Sequence, residues 1–180
     1  NIIGMVIARR AMLGIVRGGE GLERVEQVVA SYAQGLPAMP IWRLLLSWIH
    51  LNLGRAADAS ANLDRALQRD LPKDAFFIVS AAVATEIIAA LDERERAAWL
   101  YPILLPYRAR HAVAATDFTL GPVERPLGLL AATRGDTGRA AEHFRAAAAA
   151  NRGLAPWLVG PPHAAQAVGR HGPGARSAPG

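Results

Sequence analysis

The feature that most constrains the fold is a helical spacing that recurs along the chain. A small or β-branched residue is followed four positions later by an apolar residue, which is larger in three of the four instances, and three positions after that by another apolar residue. The spacing occurs at Val25–Val29–Tyr32, Ala59–Leu63–Ala66, Ala97–Tyr101–Leu104 and Ala140–Phe144–Ala147. Successive first members are 34, 38 and 43 residues apart. Helix pairs that stack need a small residue at each close contact, so this period predicts a row of similar pairs.

Segments rich in Ala, Leu, Arg and Glu alternate with short breaks marked by Gly or Pro, and period-two alternation of β-branched residues is almost absent. These features predict helices near 3–17, 21–34, 39–53, 56–69, 74–91, 93–105, 121–134 and 137–150. Gly54 and Gly135 each stand five residues before a small anchor, where the turn between paired helices needs a permissive backbone. Leu127 and Gly128 fall where the first helix of a pair packs closely on the second.

This is the tetratricopeptide pattern, and it predicts an all-α fold, a tetratricopeptide-like α-solenoid of about four antiparallel helix pairs. The alternative is an ordinary helical bundle whose Ala-rich helices match the spacing by chance. We expect a single repeat domain over residues 1–158. Residues 159–180 are rich in Gly, Pro and Ala, and we expect this tail to be disordered because it buries too little apolar surface to offset its ordering entropy.

Composition and charge exclude several classes of function. The chain has no cysteine, which rules out disulfides and thiolate metal sites and makes a cytoplasmic location the expectation. The apolar run from Ala75 to Leu91 contains Glu86 and is shorter than the about 20 residues of a spanning helix, so no membrane contact is expected. The net charge is only +5, and the arginines are not interleaved with aromatic residues. We therefore expect no direct nucleic-acid contact.

No constellation of residues indicates catalysis. The five histidines are scattered and lack the i, i+4 spacing of a helical zinc site, so no metal or cofactor is expected. No Gly-x-Ser-x-Gly elbow is present. His50 is interpreted as a packed or half-exposed helical histidine rather than a ligand or base. The sequence thus predicts a binding module that is not an enzyme. A small helical enzyme with a site between repeats remains the alternative, because catalytic triads need not be local in sequence.

A ligand of stacked helix pairs meets the first helix of each pair on the concave side. Counting back from the anchors gives the side chains that we expect to line this groove: Arg10, Trp48, Asn52, Glu86 and Arg125. Such a groove would hold an extended peptide by charge-assisted hydrogen bonds and one aromatic anchor. Trp48 is equally well interpreted as a core residue, and the two arginines as solubilising charge.

Three segments carry a more specific resemblance, WLYPILLP (99–106), GPVERPLGLLAATRG (121–135) and AAEHFRAAAAANRGLAPW (140–157). They resemble the carboxy-terminal region of large bacterial signalling ATPases, cyclase-associated or of the LuxR transcriptional regulator type. There an ATPase module is followed by tetratricopeptide-like repeats. The resemblance implies a protein-interaction or sensor scaffold whose partner is a protein, a peptide or another domain of its parent protein. The sequence departs from the family pattern after Leu158. The phosphate loop GxxxxGK[ST] is missing from these residues, so the nucleotide chemistry does not carry over. A fragment that only packs against an absent ATPase domain is a further alternative.

Overall fold

A computed structural model describes residues 2–19, 21–68, 70–114 and 118–152. Most of these residues lie in helices, which confirms the all-α class. The helices are α1 (Ile2–Val16), α2 (Leu22–Gly35), α3 (Pro40–Asn52), α4 (Ala56–Ala66), α5 (Phe77–Ala90), α6 (Arg94–Leu104), α7 (Glu124–Thr133) and α8 (Thr137–Arg152). A single 3-10 turn, Leu105–Tyr107, extends α6. The end of the predicted repeat domain, 153–158, and the predicted tail, 159–180, lie outside the described residues.

Between α6 and α7 the chain forms a small antiparallel hairpin of β1 (His111–Ala114) and β2 (Phe118–Pro122). The sequence analysis predicted no strand here and began the seventh helix at residue 121, three residues too early. Gly121 has a positive φ of 87° and Pro122 ends the strand, so neither continues into helical geometry. The hairpin contacts the helices through β1 with α5 and through β2 with α7 and α8. Ala112 in β1 and Val123, which directly follows β2, are both fully buried.

Successive helices lie against one another as α1 with α2, α3 with α4, α5 with α6 and α7 with α8. The first helices of these pairs also contact in order, α1 with α3, α3 with α5 and α5 with α7. Helix α5 occupies the middle of this series and is buried on nearly all sides, with ten buried residues among its 14. The fold therefore places the first helices side by side, with the second helices joined to them by short loops.

The anchors that defined the sequence period are mostly core residues. Ala59 and Ala97 have no exposed surface, and the Ser47 hydroxyl donates to the Ala59 carbonyl at 2.5 Å, which brings α3 and α4 into close contact. A Cβ atom on Gly128 would lie 2.7 Å from the Phe144 ring, so α7 and α8 approach as closely as the sequence predicted. Phe144 itself is 37% exposed. Its ring therefore covers the contact from outside.

The buried apolar residues form two clusters that meet at α3. The larger cluster contains most of α5 with the facing sides of α6 and α7, and Leu44 joins it from α3. The smaller cluster lies among α1, α2 and α3 and contains Leu22, Val29 and Ile49. Trp48 is half-buried and packs against both clusters. The pair of helices α1 and α2 is thus attached to the rest of the protein mainly through α3.

Candidate functional site

The five predicted groove residues lie on the four first helices, as expected from their register. Arg10 is exposed on α1, and Trp48 fills a position between the two core clusters. Asn52 is the last residue of α3, where its side-chain amide donates to the Trp48 carbonyl at 2.8 Å. Among the described residues, Arg10 makes no hydrogen bond or ion pair with the other four. The groove therefore stays a prediction, and its aromatic member also serves in packing.

Glu86 and Arg125 are the two predicted groove residues that the structure joins through their side chains. Arg125 donates to both carboxylate oxygens of Glu86, once closely through Nη1 and once at 3.4 Å through Nη2. The Arg125 side chain is 26% exposed and the Glu86 side chain is 19% exposed. This ion pair joins α5 to α7, so binding an extended peptide through either charge would require the pair to open or to be shared.

The outer face of α1 carries large apolar side chains that are exposed to solvent. Ile3 is 64% exposed, Val6 53%, Leu13 44% and Met5 42%. The opposite face of α1 packs against α2 and α3 through Ala11 and Met12. The sequence analysis missed this face, although the signal was present. Helix α1 has apolar residues on both of its sides, whereas a surface helix normally carries polar residues on the side that faces water.

Three arginines share the outer face of α1 with these apolar residues. Arg9 and Arg10 lie between the turns that carry Val6 and Leu13, and Arg17 follows Leu13 by one turn. All three are exposed, and none forms an ion pair with a carboxylate of the described residues. We call the set Ile3, Met5, Val6, Arg9, Arg10, Leu13 and Arg17 the α1 face. It alternates apolar and cationic turns along one side of the helix.

A network of hydrogen bonds around the buried His50 links α2, α3 and α4. Its Nε2 lies 3.0 Å from the Glu26 carboxylate on α2, and its Nδ1 lies 3.3 Å from the Asn62 amide on α4. Because the amide nitrogen can only donate, Nδ1 accepts and Nε2 donates to Glu26. Arg55 also donates to Glu26, at 2.5 Å. The sequence analysis interpreted His50 as a packed or half-exposed helical histidine. The structure shows it buried, with partners on other helices.

The Glu26 carboxylate in this network has a perturbed pKa. The hydrogen bond from Arg55 is the largest influence and lowers the pKa of Glu26 below its ordinary value of 4.5. Partial burial acts in the opposite direction, and the hydrogen bond from His50 lowers the pKa further. Glu26 is therefore held in its charged form, and the network ties α2 to α3 and to the start of α4.

A similar chain of polar groups joins the last three helices. The Tyr101 hydroxyl on α6 lies 2.8 Å from His143 Nε2 on α8, and His143 Nδ1 lies 2.5 Å from Glu124 on α7. Carboxylate, imidazole and hydroxyl stand in the order of a nucleophile relay. Tyr101 is only 5% exposed, however, and the Arg134 guanidinium lies 4.6 Å from its ring centre. We interpret the series Tyr101–His143–Glu124 as a hydrogen-bonded link between the three helices.

An open cleft of about 260 Å³ lies between the start of α5 and the turn before β1. Its volume is below the roughly 300–1,000 Å³ of sites for drug-sized ligands. Phe77 and Tyr107 form one wall with their ring centres 5.1 Å apart, and Lys73 and Arg110 stand at its rim. Asp74 also lines it and offsets part of the positive charge. The cleft is therefore too small and too open to enclose a drug-sized ligand.

Comparison with known proteins adds no relative: no family model, no curated protein and no solved structure matches the chain. Within the described ranges, no group of three His, Asp or Glu side chains is placed to hold a metal ion. No helix in the same ranges is long and apolar enough to cross a membrane. What the chain does must therefore be argued from its own surfaces, of which the α1 face departs most from an ordinary exterior.

Proposed function

We propose that the chain is a protein-interaction scaffold, a tetratricopeptide-like stack of helix pairs that binds through its surface without turnover. The exposed apolar side chains of the α1 face carry the proposal. Single exposed apolar residues are normal on proteins, but several large ones on one side of one helix mark a surface that another molecule covers. Ile3, Val6 and Leu13 are spaced three and seven residues apart, which suits the seam of a helix laid against α1.

The order of the helices supports the same proposal. Helix α1 is the first described member of the series of first helices, so its outer face lies where one more helix pair, or a helix of a partner, would continue the stack. The occupant is then a separate protein or peptide, or another domain of a longer parent protein. The resemblance of residues 99–157 to the repeat region of bacterial signalling ATPases and regulators is the reason to place this scaffold in a regulatory protein.

The experiment is a selection of helical peptides on the immobilised protein. A displayed library carries a fixed apolar seam and randomised flanking positions, and enrichment is compared between the parent and the double variant Val6→Asp, Leu13→Asp. Val113→Asp is the matched control, because Val113 is 48% exposed but lies in the hairpin, outside α1. Helical content is checked by circular dichroism for every variant.

We expect the parent and the Val113→Asp control to enrich peptides and the double variant to lose the enrichment. An aspartate in the seam leaves a charge without water or a partner, which is unfavourable. Failure of the parent to enrich any peptide, or equal enrichment by the Val6→Asp, Leu13→Asp variant, would show that the α1 face is not a docking surface.

A further inference from the structure

The α1 face differs from a plain apolar patch because its cations lie inside the apolar stripe. Arg10 follows Val6 by four residues and precedes Leu13 by three, so its side chain lies on nearly the same line along the helix. Arg17 repeats this relation one heptad later. Apolar and cationic turns therefore alternate, and any occupant must meet both.

We propose that the occupant of the α1 face is an acidic amphipathic helix of a protein, with apolar residues seven apart and carboxylates on the turns between them. This inference rests on the proposed function and names its partner. Apolar turns of such a helix would cover Val6 and Leu13 while its carboxylates would face Arg10 and Arg17, which form no ion pair with a described residue. Complementary charge gives this partner both faster encounter and selectivity over basic helices.

A second copy of the chain fits this face poorly. A two-fold contact that places Val6 of one copy on Leu13 of the other also brings Arg9 and Arg10 of both copies together at its centre. Four guanidinium groups would then meet without a carboxylate of α1 between them, because Ile2–Val16 contains no acidic residue. Like charges placed opposite one another oppose association.

A lipid surface also fits less well than an acidic helix. Helices that lie on anionic membranes keep their arginines toward the edges of the apolar side, so that the charges reach the headgroups while the apolar side chains enter the acyl region. On α1 the charges of Arg10 and Arg17 lie along the stripe, between and beyond its apolar turns. A bilayer has no fixed carboxylate at that spacing, whereas a helix can supply one at every second turn.

The test uses three synthetic helical peptides that share the same leucine seam and carry Glu, Gln or Lys at the flanking positions. Binding to the full chain is measured by fluorescence anisotropy at low and high salt. We expect the Glu peptide to bind about tenfold more tightly than the Gln peptide at low salt, as suits two or three exposed ion pairs. The Lys peptide should bind most weakly, and salt should reduce the differences because it screens exposed charges.

The double variant Arg10→Glu, Arg17→Glu is expected to reverse the order, so that the Lys peptide becomes the best ligand. Arg145→Glu on α8 is the matched control. Arg145 is exposed and forms no ion pair with a described residue, so the substitution makes the same charge reversal away from the α1 face. This control should keep the parent order. A preserved order in the charge-reversed α1 variant would overturn the inference.

Further outcomes separate the inference from the proposed function. Equal binding of all three peptides would overturn the acidic partner while leaving the docking function standing, and binding of none would count against both. Tighter binding to phosphatidylserine vesicles than to the Glu peptide would replace the helix by a membrane. Concentration-dependent dimerisation that Val6→Asp abolishes, measured by sedimentation velocity, would replace it by a second copy.

Discussion

Gly128 is the residue at which two opposing contributions to helix stability can be separated. Replacing it by Ala adds helix propensity of about 1 kcal/mol. It also places a Cβ atom 2.7 Å from the Phe144 ring, and overpacking of this kind costs roughly 1–3 kcal/mol. We expect Gly128→Ala to destabilise the protein by about 1 kcal/mol, because the ring must leave its contact with α7.

The matched background is Phe144→Ala, which removes the ring. There the same glycine substitution should become stabilising by about 0.5–1 kcal/mol, since only the propensity remains. Urea unfolding of the four proteins in this cycle measures the change of sign. A destabilising Gly128→Ala in both backgrounds would mean that the close contact involves the backbone rather than the ring.

Glu26 makes the stability depend on pH at the residue scale. Its pKa is lower in the folded protein than the ordinary value of 4.5, chiefly through Arg55. A carboxyl with a depressed folded-state pKa stabilises the fold above the unfolded-state pKa, and this stabilisation is lost as the pH falls through the folded-state pKa. We therefore expect Glu26→Gln to cost about 1.5 kcal/mol at pH 7, at the lower end of the range for hydrogen bonds to charged groups because the Glu26 side chain is 22% exposed.

The cost of Glu26→Gln should shrink as urea unfolding is repeated at pH values below 4.5, because the parent then loses the same interaction by protonation. Glu142→Gln is the control, since Glu142 is exposed on α8 and forms no ion pair with a described residue. A cost of Glu26→Gln that is the same at pH 7 and at pH 3 would show that the carboxylate charge is not what stabilises the network.

Single residues were predictable from the sequence only as far as helical register reaches. Register placed Glu86 and Arg125 on first helices, but their ion pair depends on α5 and α7 being neighbours. The partners of His50 likewise lie 24 and 12 residues away on other helices. Such contacts follow from packing, which a period of buried residues does not specify.

At the scale of elements, the small anchor residues set the distance between paired helices. Ala59 on α4 has no exposed surface, and its carbonyl accepts from Ser47 on α3. Ala59→Leu is expected to destabilise the protein by roughly 1–3 kcal/mol, because three added carbon atoms must enter a full contact. Thermal or urea unfolding measures the loss.

Ala57→Leu provides the comparison on the same helix, since Ala57 is exposed. Its leucine has water to enter, so the change in stability should stay within about 0.5 kcal/mol. Equal effects of the two substitutions would place the close contact elsewhere and would undo the helical register on which the repeat rests.

Helices were predictable because their start and stop signals are local, whereas the hairpin was not. Gly54 and Gly135 have positive φ angles of 76° and 87°, as the turns between paired helices required. The strands His111–Ala114 and Phe118–Pro122 are only four and five residues long. Strands this short show no clear alternation. A lone two-stranded hairpin needs packing against other elements, here the contacts of β1 with α5 and of β2 with α7 and α8.

At the scale of the whole molecule, stability should be unevenly distributed, because the two apolar clusters differ in size and enclosure. Helix α5 lies inside the larger cluster, while α1 turns one apolar side to water and packs only through the other. Regions with fewer buried contacts open at lower free energy than the core. Native-state hydrogen exchange followed by mass spectrometry should therefore give opening free energies for the middle of α1 that are at least about 1 kcal/mol below those of α5.

Amides in the middle of each helix are the right comparison, since helix ends fray in any fold. If α3 couples the two clusters, its amides should open at free energies between those of α1 and α5, because Leu44 belongs to the larger cluster and Ile49 to the smaller one. Equal opening free energies in α1, α3 and α5 would mean that the chain unfolds as one cooperative unit. Helices α1 and α2 would then be as stable as the centre of the protein even without an occupant on the α1 face.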